Sequence, residues 1–348
     1  MLPTTSSRAV TTALGVLAEA GKLQALAYDV DSALEVLVDN AIKEFGPAPY
    51  DVYNCIFNFS QTKSDHAQVL EDFAYPRLVD LIKAFYNDFQ LDSRMISVHP
   101  HPFTDERDAW EINFKSILIG NAAMERMRVK EDEHLREKYE TLRKTPQSSA
   151  LAGWFFEALA HRLVFQGWRG PNPLPMASDN CNPSTFSITL ARPADNTPWP
   201  SLTPPDGARI VEIDLTKHFA FTESYYYKLK AINNPLFDSF TVKQNYANNT
   251  ILISLFKMTI SPEHKGSAKG YDLVRNIRTF VYESLGSAGP YFRIKVAYFL
   301  VCPGVESRYR WTMPIGWKEN AGVHGNVFCI PIPVAVRRVY SLPILRLS

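Results

Sequence analysis

A chain of 348 residues, 46% hydrophobic and 21% charged, is long enough to bury a substantial core without disulfides or metals and suggests two domains or one large one. Its 37 basic and 36 acidic side chains leave a net charge of +1, which excludes a strongly basic global field, so any nucleic-acid contact needs a local patch. Cys55, Cys181, Cys302 and Cys329 have neither a zinc-site nor a disulfide-framework spacing and read as reduced thiols. No apolar run approaches the ~20 residues of a membrane span, and residues 1–21 lack the basic start and long apolar stretch of a secretory signal.

The first part of the chain reads as mainly helical. Ser32 and Glu35 have capping-box spacing, and Leu34, Leu37, Val38, Ala41 and Ile42 then mark one buried helical face. The run Phe45-Gly46-Pro47-Ala48-Pro49 ends that helix. A second helix is expected over 65–89, with a break near Pro76. A strand is expected at 95–98, and the His99-Pro100-His101-Pro102 run after it reads as a loop rather than a metal motif, because no carboxylate or Cys stands at ligand spacing. Residues 110–118 read as a second strand. Residues 121–144 read as one charged helix with a sparse apolar stripe, either a solvated linker or a partner-binding face.

Residues 145–149 are the best boundary, dividing the chain at about 1–147 and 148–348. A helix over 150–167 buries Phe156, Leu159, Ala160, Leu163 and Val164 and sets Glu157 and His161 one turn apart at the core margin. A strand is expected near 185–190, a proline-rich loop over 192–207, and a hairpin from 237–242 and 251–260 around an Asn-rich turn. Centring that hairpin near Tyr246–Ala247 sets Asp238 beside Leu255, with Lys257 and Thr259 farther along the same face. A helix over 268–285 and a strand over 292–301 follow, and the tail from Pro303 reads as an extended wrap over the surface.

Three segments resemble the nuclease-like domain of the Crinkler/RHS family: Gly153 to His161, with its G-x-x-F-E-x-x-x-H pattern; the Asp-bearing strand Pro235 to Phe240; and Leu255 to Ser261 with His264. The resemblance covers about residues 148–302, and residues 40–145 more loosely resemble the end of the NTPase module of longer members. It implies an α+β protein, a helical N-terminal region followed by a restriction-endonuclease-like αβββαβ core. It further implies Mg²⁺ held by Asp238 and Glu157, with Lys257 stabilising phosphate charge and Thr259 and His264 in support. The implied partner is DNA or RNA, or a host protein, and the implied setting is that of a secreted effector working in a host nucleus, with no membrane partner. Basic residues Lys265, Lys269, Arg275 and Arg278 are candidates for phosphate contact.

Two departures stand against an active site, the first being Thr259 in the place where classical relatives carry the catalytic lysine. Lys257 occupies a position where the family shows Gln, and a cation beside Asp238 competes with a metal for the carboxylate. Either Lys257 has taken over the catalytic lysine's role or the site has lost its metal and serves as a binding module. Asp238 also reads as a simple strand opener, Lys257 as a strand-end cation reaching water, and Glu157 as an ion-pair partner of His161 or Lys257. No P-loop motif occurs in the chain, which argues against ATP hydrolysis.

Overall fold

Glycine decides where the first helix stops. In a computed structural model of the chain, α1 (Val30–Phe45) ends at Gly46, whose φ of +89° is costly for a residue with a Cβ. The structure describes residues 30–71, 73–87, 95–100, 110–127, 132–144, 146–167, 173–179, 182–188, 209–215, 217, 219, 221–222, 225–230, 234, 236–304, 309–317 and 325–334. The proline-rich 192–207 segment, His101-Pro102 and residues 1–21 lie outside them. The chain mixes helices and strands, an α+β protein as expected, and divides into two units: Met1–Lys130 with Thr141–Trp154, and Glu131–Glu140 with Phe155–Ser348.

In the first unit, the expected helix over 65–89 is broken near Pro76 as expected, into α2 (Pro49–Glu71), which starts earlier, and α3 (Tyr75–Asn87). The break falls before Pro76, which sits in the first turn of α3, where its missing N–H costs nothing. Strands β1 (Ile96–Pro100) and β2 (Trp110–Phe114) pair antiparallel, so His99 and Pro100 belong to a strand and not to a loop. The expected strand over 110–118 is shorter, because Ser116 caps α4 (Ile117–Arg126) by accepting the Ile119 N–H at 3.1 Å. The expected helix over 121–144 is likewise two helices, α4 and α5 (Asp132–Arg143), the latter belonging up to Glu140 to the second unit. Phe45, Ala41 and Cys55 form a small core, and the buried Lys115 ammonium is paired with the buried Asp51 carboxylate.

The division between the units falls inside α6 (Ser149–Phe165). This helix is apolar on most sides and buries Phe155, Phe156, Leu159, Ala160 and Val164, as a helix enclosed in a core should.

The second unit holds a ten-stranded mixed sheet. The strands are β3 (Leu174–Asp179), β4 (Asn182–Ile188), β5 (Arg209–Ile213), β6 (Tyr225–Leu229), β7 (Ser239–Asn245), β8 (Thr250–Met258), β9 (Glu263–Lys265), β10 (Arg293–Pro303), β11 (Arg310–Thr312) and β12 (Asn326–Ile332). Their order across the sheet is β5-β6-β7-β8-β10-β12-β3-β4-β11-β9. Strands β6, β7 and β8 form an antiparallel meander, and β8 runs parallel to β10 after the crossover helix α7 (Lys269–Leu285). In chain order β3, β4 and β5 lie between α6 and this meander, and β9 lies between β8 and α7.

Two expectations need correction here. The strand near 185–190 forms as β4, but it pairs with β3 and β11 and is not the meander's first strand; that place belongs to β6, whose Tyr225-Tyr226-Tyr227 was not read as strand. The tail is not a surface wrap as far as it is described. Residues 326–332 form β12, paired with β10 on one side and β3 on the other, and buried from Val327 to Ile332. Period-two alternation gives the sheet two faces. One carries Tyr227, Phe240, Val242, Ile253, Leu255, Tyr298 and Leu300 in a common core with Tyr271, Val274, Ile277 and Val281 of α7. The other carries Phe256, Phe299 and Phe328 stacked across β8, β10 and β12, with ring centroids 5.3 and 5.2 Å apart.

Candidate functional site

The hairpin turn covers 246–249, and Asn249 takes the left-handed conformation (φ 50°) that asparagine tolerates well. This centres the hairpin one residue later than expected, so each residue of β7 meets a partner two residues farther along β8. Ser239 pairs with Phe256 and Phe240 with Leu255, and Asp238, one step before the strand, faces Lys257 rather than Leu255. A slip of two keeps every side chain on its face.

Asp238 and Lys257 meet directly. The Lys257 ammonium donates to Asp238 Oδ1 at 2.7 Å and to the Asn234 carbonyl at 3.3 Å. The second carboxylate oxygen, Oδ2, accepts the Met258 N–H at 2.9 Å. The pair is largely enclosed, with side-chain exposures of 10% for Lys257 and 15% for Asp238. Burial pushes the Asp238 carboxyl above its ordinary range, against the pull of Lys257 and the Met258 N–H.

Glu157 does not join that pair. It comes from α6, and its Oε1 lies 3.5 Å from His161 Nε2, within ion-pair reach and long for a hydrogen bond. Burial opposes its ionisation, but His161, Lys228 and Lys257 outweigh it, and its carboxyl titrates below the usual range. Glu157 is linked to Lys257 through charge and not through a bond. Thr259, past the end of β8, is likewise not bonded to the pair; its hydroxyl accepts the Ser261 N–H at 3.1 Å. His264 stands on β9, with its ring 6.3 Å from that of Trp311. Burial first, and the Lys257 charge second, lower its pKa to about 4, so the imidazole is neutral at physiological pH.

The structure adds two residues that were not singled out in the sequence, Tyr226 and Ser239. Tyr226 Oη is 2.7 Å from His161 Nδ1 and 2.6 Å from Ser239 Oγ. Burial raises the Tyr226 hydroxyl far above its ordinary range, so it keeps its proton and donates. A consistent order follows: Ser239 donates to Tyr226, Tyr226 to His161 Nδ1, and His161 Nε2 carries its proton toward Glu157. Ser239 is fully buried, so its hydroxyl is closed off from solvent. A tyrosine within a run of three tyrosines that alternates core-facing and helix-facing sides was the available signal.

A hard divalent cation needs about six oxygen ligands, with carboxylates prominent among them. Both Asp238 oxygens already accept hydrogen bonds, one from an ammonium, and among the described residues no group of three His, Cys, Asp or Glu side chains stands close enough to share one ion. In this arrangement the residues do not fit Mg²⁺. The candidate phosphate contacts on α7 are also partly neutralised, since Arg275 pairs with Asp272. Among the described residues no helix is long and apolar enough to cross a membrane. Compared with known proteins, the chain matches no family model, no curated protein and no solved structure.

Proposed function

We propose that this chain is a Crinkler-type relative whose second unit keeps a restriction-endonuclease-like frame, has lost metal-dependent cleavage, and serves as a binding module. Three features support the frame. A helix before, and a crossover helix with a parallel strand after, the three-strand meander resemble the αβββαβ order of that core once β3–β5 and β9 are taken as insertions. Asp238 opens the second meander strand, and Lys257 lies near the end of the third. Glu157 lies on the preceding helix. The loss of cleavage rests on one observation, the Lys257 ammonium held on Asp238 Oδ1 at 2.7 Å, where a metal-dependent site needs a free carboxylate oxygen. Work as a secreted effector in a host nucleus belongs to the same proposal.

The test is an Mg²⁺-dependent cleavage assay on single- and double-stranded DNA and on RNA, with Asp238→Ala as the control and calorimetric titration of Mg²⁺ alongside. The folded wild-type protein is expected to leave every substrate intact and to show no Mg²⁺ binding that Asp238→Ala removes. Cleavage abolished by Asp238→Ala would restore the metal-dependent nuclease reading, which the gathering of Asp238, Lys257 and Glu157 toward one end of the sheet otherwise favours.

A further inference from the structure

At the hairpin end of the sheet the ladder aligns exposed cations. Asn245, Thr250 and Arg293 form one row across β7, β8 and β10, and Lys243, Leu252 and Lys295 form the next. Residues of one row share a face, and so do residues two apart on one strand. Lys243, Arg293 and Lys295 therefore all project from one side of the sheet, the side opposite α7, because the intervening Val242, Ile294 and Val296 pack into the α7 core. All three are exposed, and among the described residues none of them is paired with a carboxylate. Neither row contains Asp or Glu, and the next row, Thr241, Ser254, Ala297 and Asn326, contains none either. Lys243 and Lys295 are two strand spacings apart, roughly 10 Å, and Arg293 and Lys295 are roughly 7 Å apart along β10.

One exposed ring stands beside the rows, whereas Tyr246, at the hairpin tip and 69% exposed, turns to the α7 side, where it meets Phe292 edge to face at 5.9 Å. Tyr291, two residues before Arg293, is 76% exposed. The turn adds the amides of Asn248 and Asn249. Cations on a flat lattice next to an open aromatic ring suit a ligand that combines a phosphate chain with stackable bases. A membrane surface would favour Trp, Phe or Leu at the tip, and the turn Tyr246-Ala247-Asn248-Asn249 has none of these.

We propose that Lys243, Arg293 and Lys295, with Tyr291, form a docking surface for single-stranded nucleic acid, at the end of β7 and β8 away from the Asp238–Lys257 pair. This rests on the binding-module reading and names its partner.

Fluorescence anisotropy of a labelled mixed-sequence single-stranded oligonucleotide tests it with the full chain. Neutralising three phosphates predicts a slope of about −2 for log K against log salt. The double variant Lys243→Glu/Lys295→Glu is expected to bind at least tenfold more weakly with a slope near zero, Tyr291→Ala at least fivefold more weakly, and Tyr246→Ala, on the α7 side, as wild type. All the changes are on exposed side chains, and circular dichroism melts verify folding. Undiminished binding by the charge-reversed variant overturns this surface while leaving the binding-module reading intact. No oligonucleotide binding by the folded wild-type protein, or binding only to vesicles rich in phosphatidylserine, also overturns it. Failure of the binding-module reading would show separately, as Mg²⁺-dependent cleavage.

Discussion

Asp238 and Lys257 face each other from neighbouring strands, carboxylate oxygen to ammonium at 2.7 Å, with side-chain exposures of 15% and 10%. Enclosed pairs of this kind lose more when one member is removed than when both are replaced, because the survivor is a buried charge without its partner. Lys257→Met should cost about 2–4 kcal/mol, somewhat below the range for a fully sealed pair because both groups keep some water contact. Adding Asp238→Asn to Lys257→Met should recover at least ~1 kcal/mol of that loss. Urea denaturation of the four species measures the coupling, and strictly additive costs would mean that the pair does not interact.

The chain from Ser239 through Tyr226 to His161 predicts a second non-additive set. Tyr226→Phe removes one hydroxyl but strands two buried groups, His161 Nδ1 and Ser239 Oγ, and should cost about 1–3 kcal/mol. Ser239→Ala should cost about 1 kcal/mol, and the double variant less than the sum of the two. If Tyr226→Phe is neutral in thermal and chemical denaturation, the hydroxyl is not the link between β6, β7 and α6.

His264 gives a pH signature with a definite sign. Its folded pKa of about 4 lies below the ordinary 6.5 because of burial and the charge of Lys257. The unfolded chain therefore binds a proton at this residue between those values while the folded chain does not, and stability should fall as pH drops from about 6.5 toward 4. The raised carboxyl of Asp238 acts in the opposite sense, so the His264 effect is read as the difference between wild type and His264→Gln. His264→Gln should flatten the slope. In Lys257→Met, the NMR titration of the His264 ring should move upward; an unmoved titration would exclude Lys257 as a cause.

The elements with a strong period were legible in the sequence, and the relations between distant segments were not. The apolar periodicity of α6 and α7 marks their buried faces, and the hairpin is visible because an Asn-rich turn separates two apolar runs. Its register was offset because Asn249, in the left-handed region, centres the turn one residue later, and that offset is what sets Lys257 directly on Asp238. The Asp238–Lys257 contact follows from local pairing and so could be anticipated. The His161–Tyr226 contact joins residues 65 positions apart, which no spacing rule reaches. The basic rows were hidden for a similar reason: Lys243 and Lys295 become neighbours only once β8 and β10 pair in parallel.

The tail gives the sharpest contrast between a surface wrap and a core strand. Prolines at 331 and 333 argue against a central strand, since proline cannot donate to a ladder. Yet β12 lies between β10 and β3, and Cys329, Ile330 and Ile332 are fully buried. Pro331 falls near the strand's end, where little of the ladder remains to be lost. Ile330→Ala should therefore destabilise the protein by about 2–5 kcal/mol, the cost of a core cavity. Gly325, just before β12, tests the approach of the two strands more directly. A Cβ there would lie 2.1 Å from the Val296 carbonyl oxygen, a backbone atom that a side-chain rotation cannot move away. Gly325→Ala should lower the urea midpoint by an amount comparable to Ile330→Ala, whereas a substitution in a loose surface segment changes stability by under about 0.5 kcal/mol. Wild-type stability in both variants would return the tail to the surface.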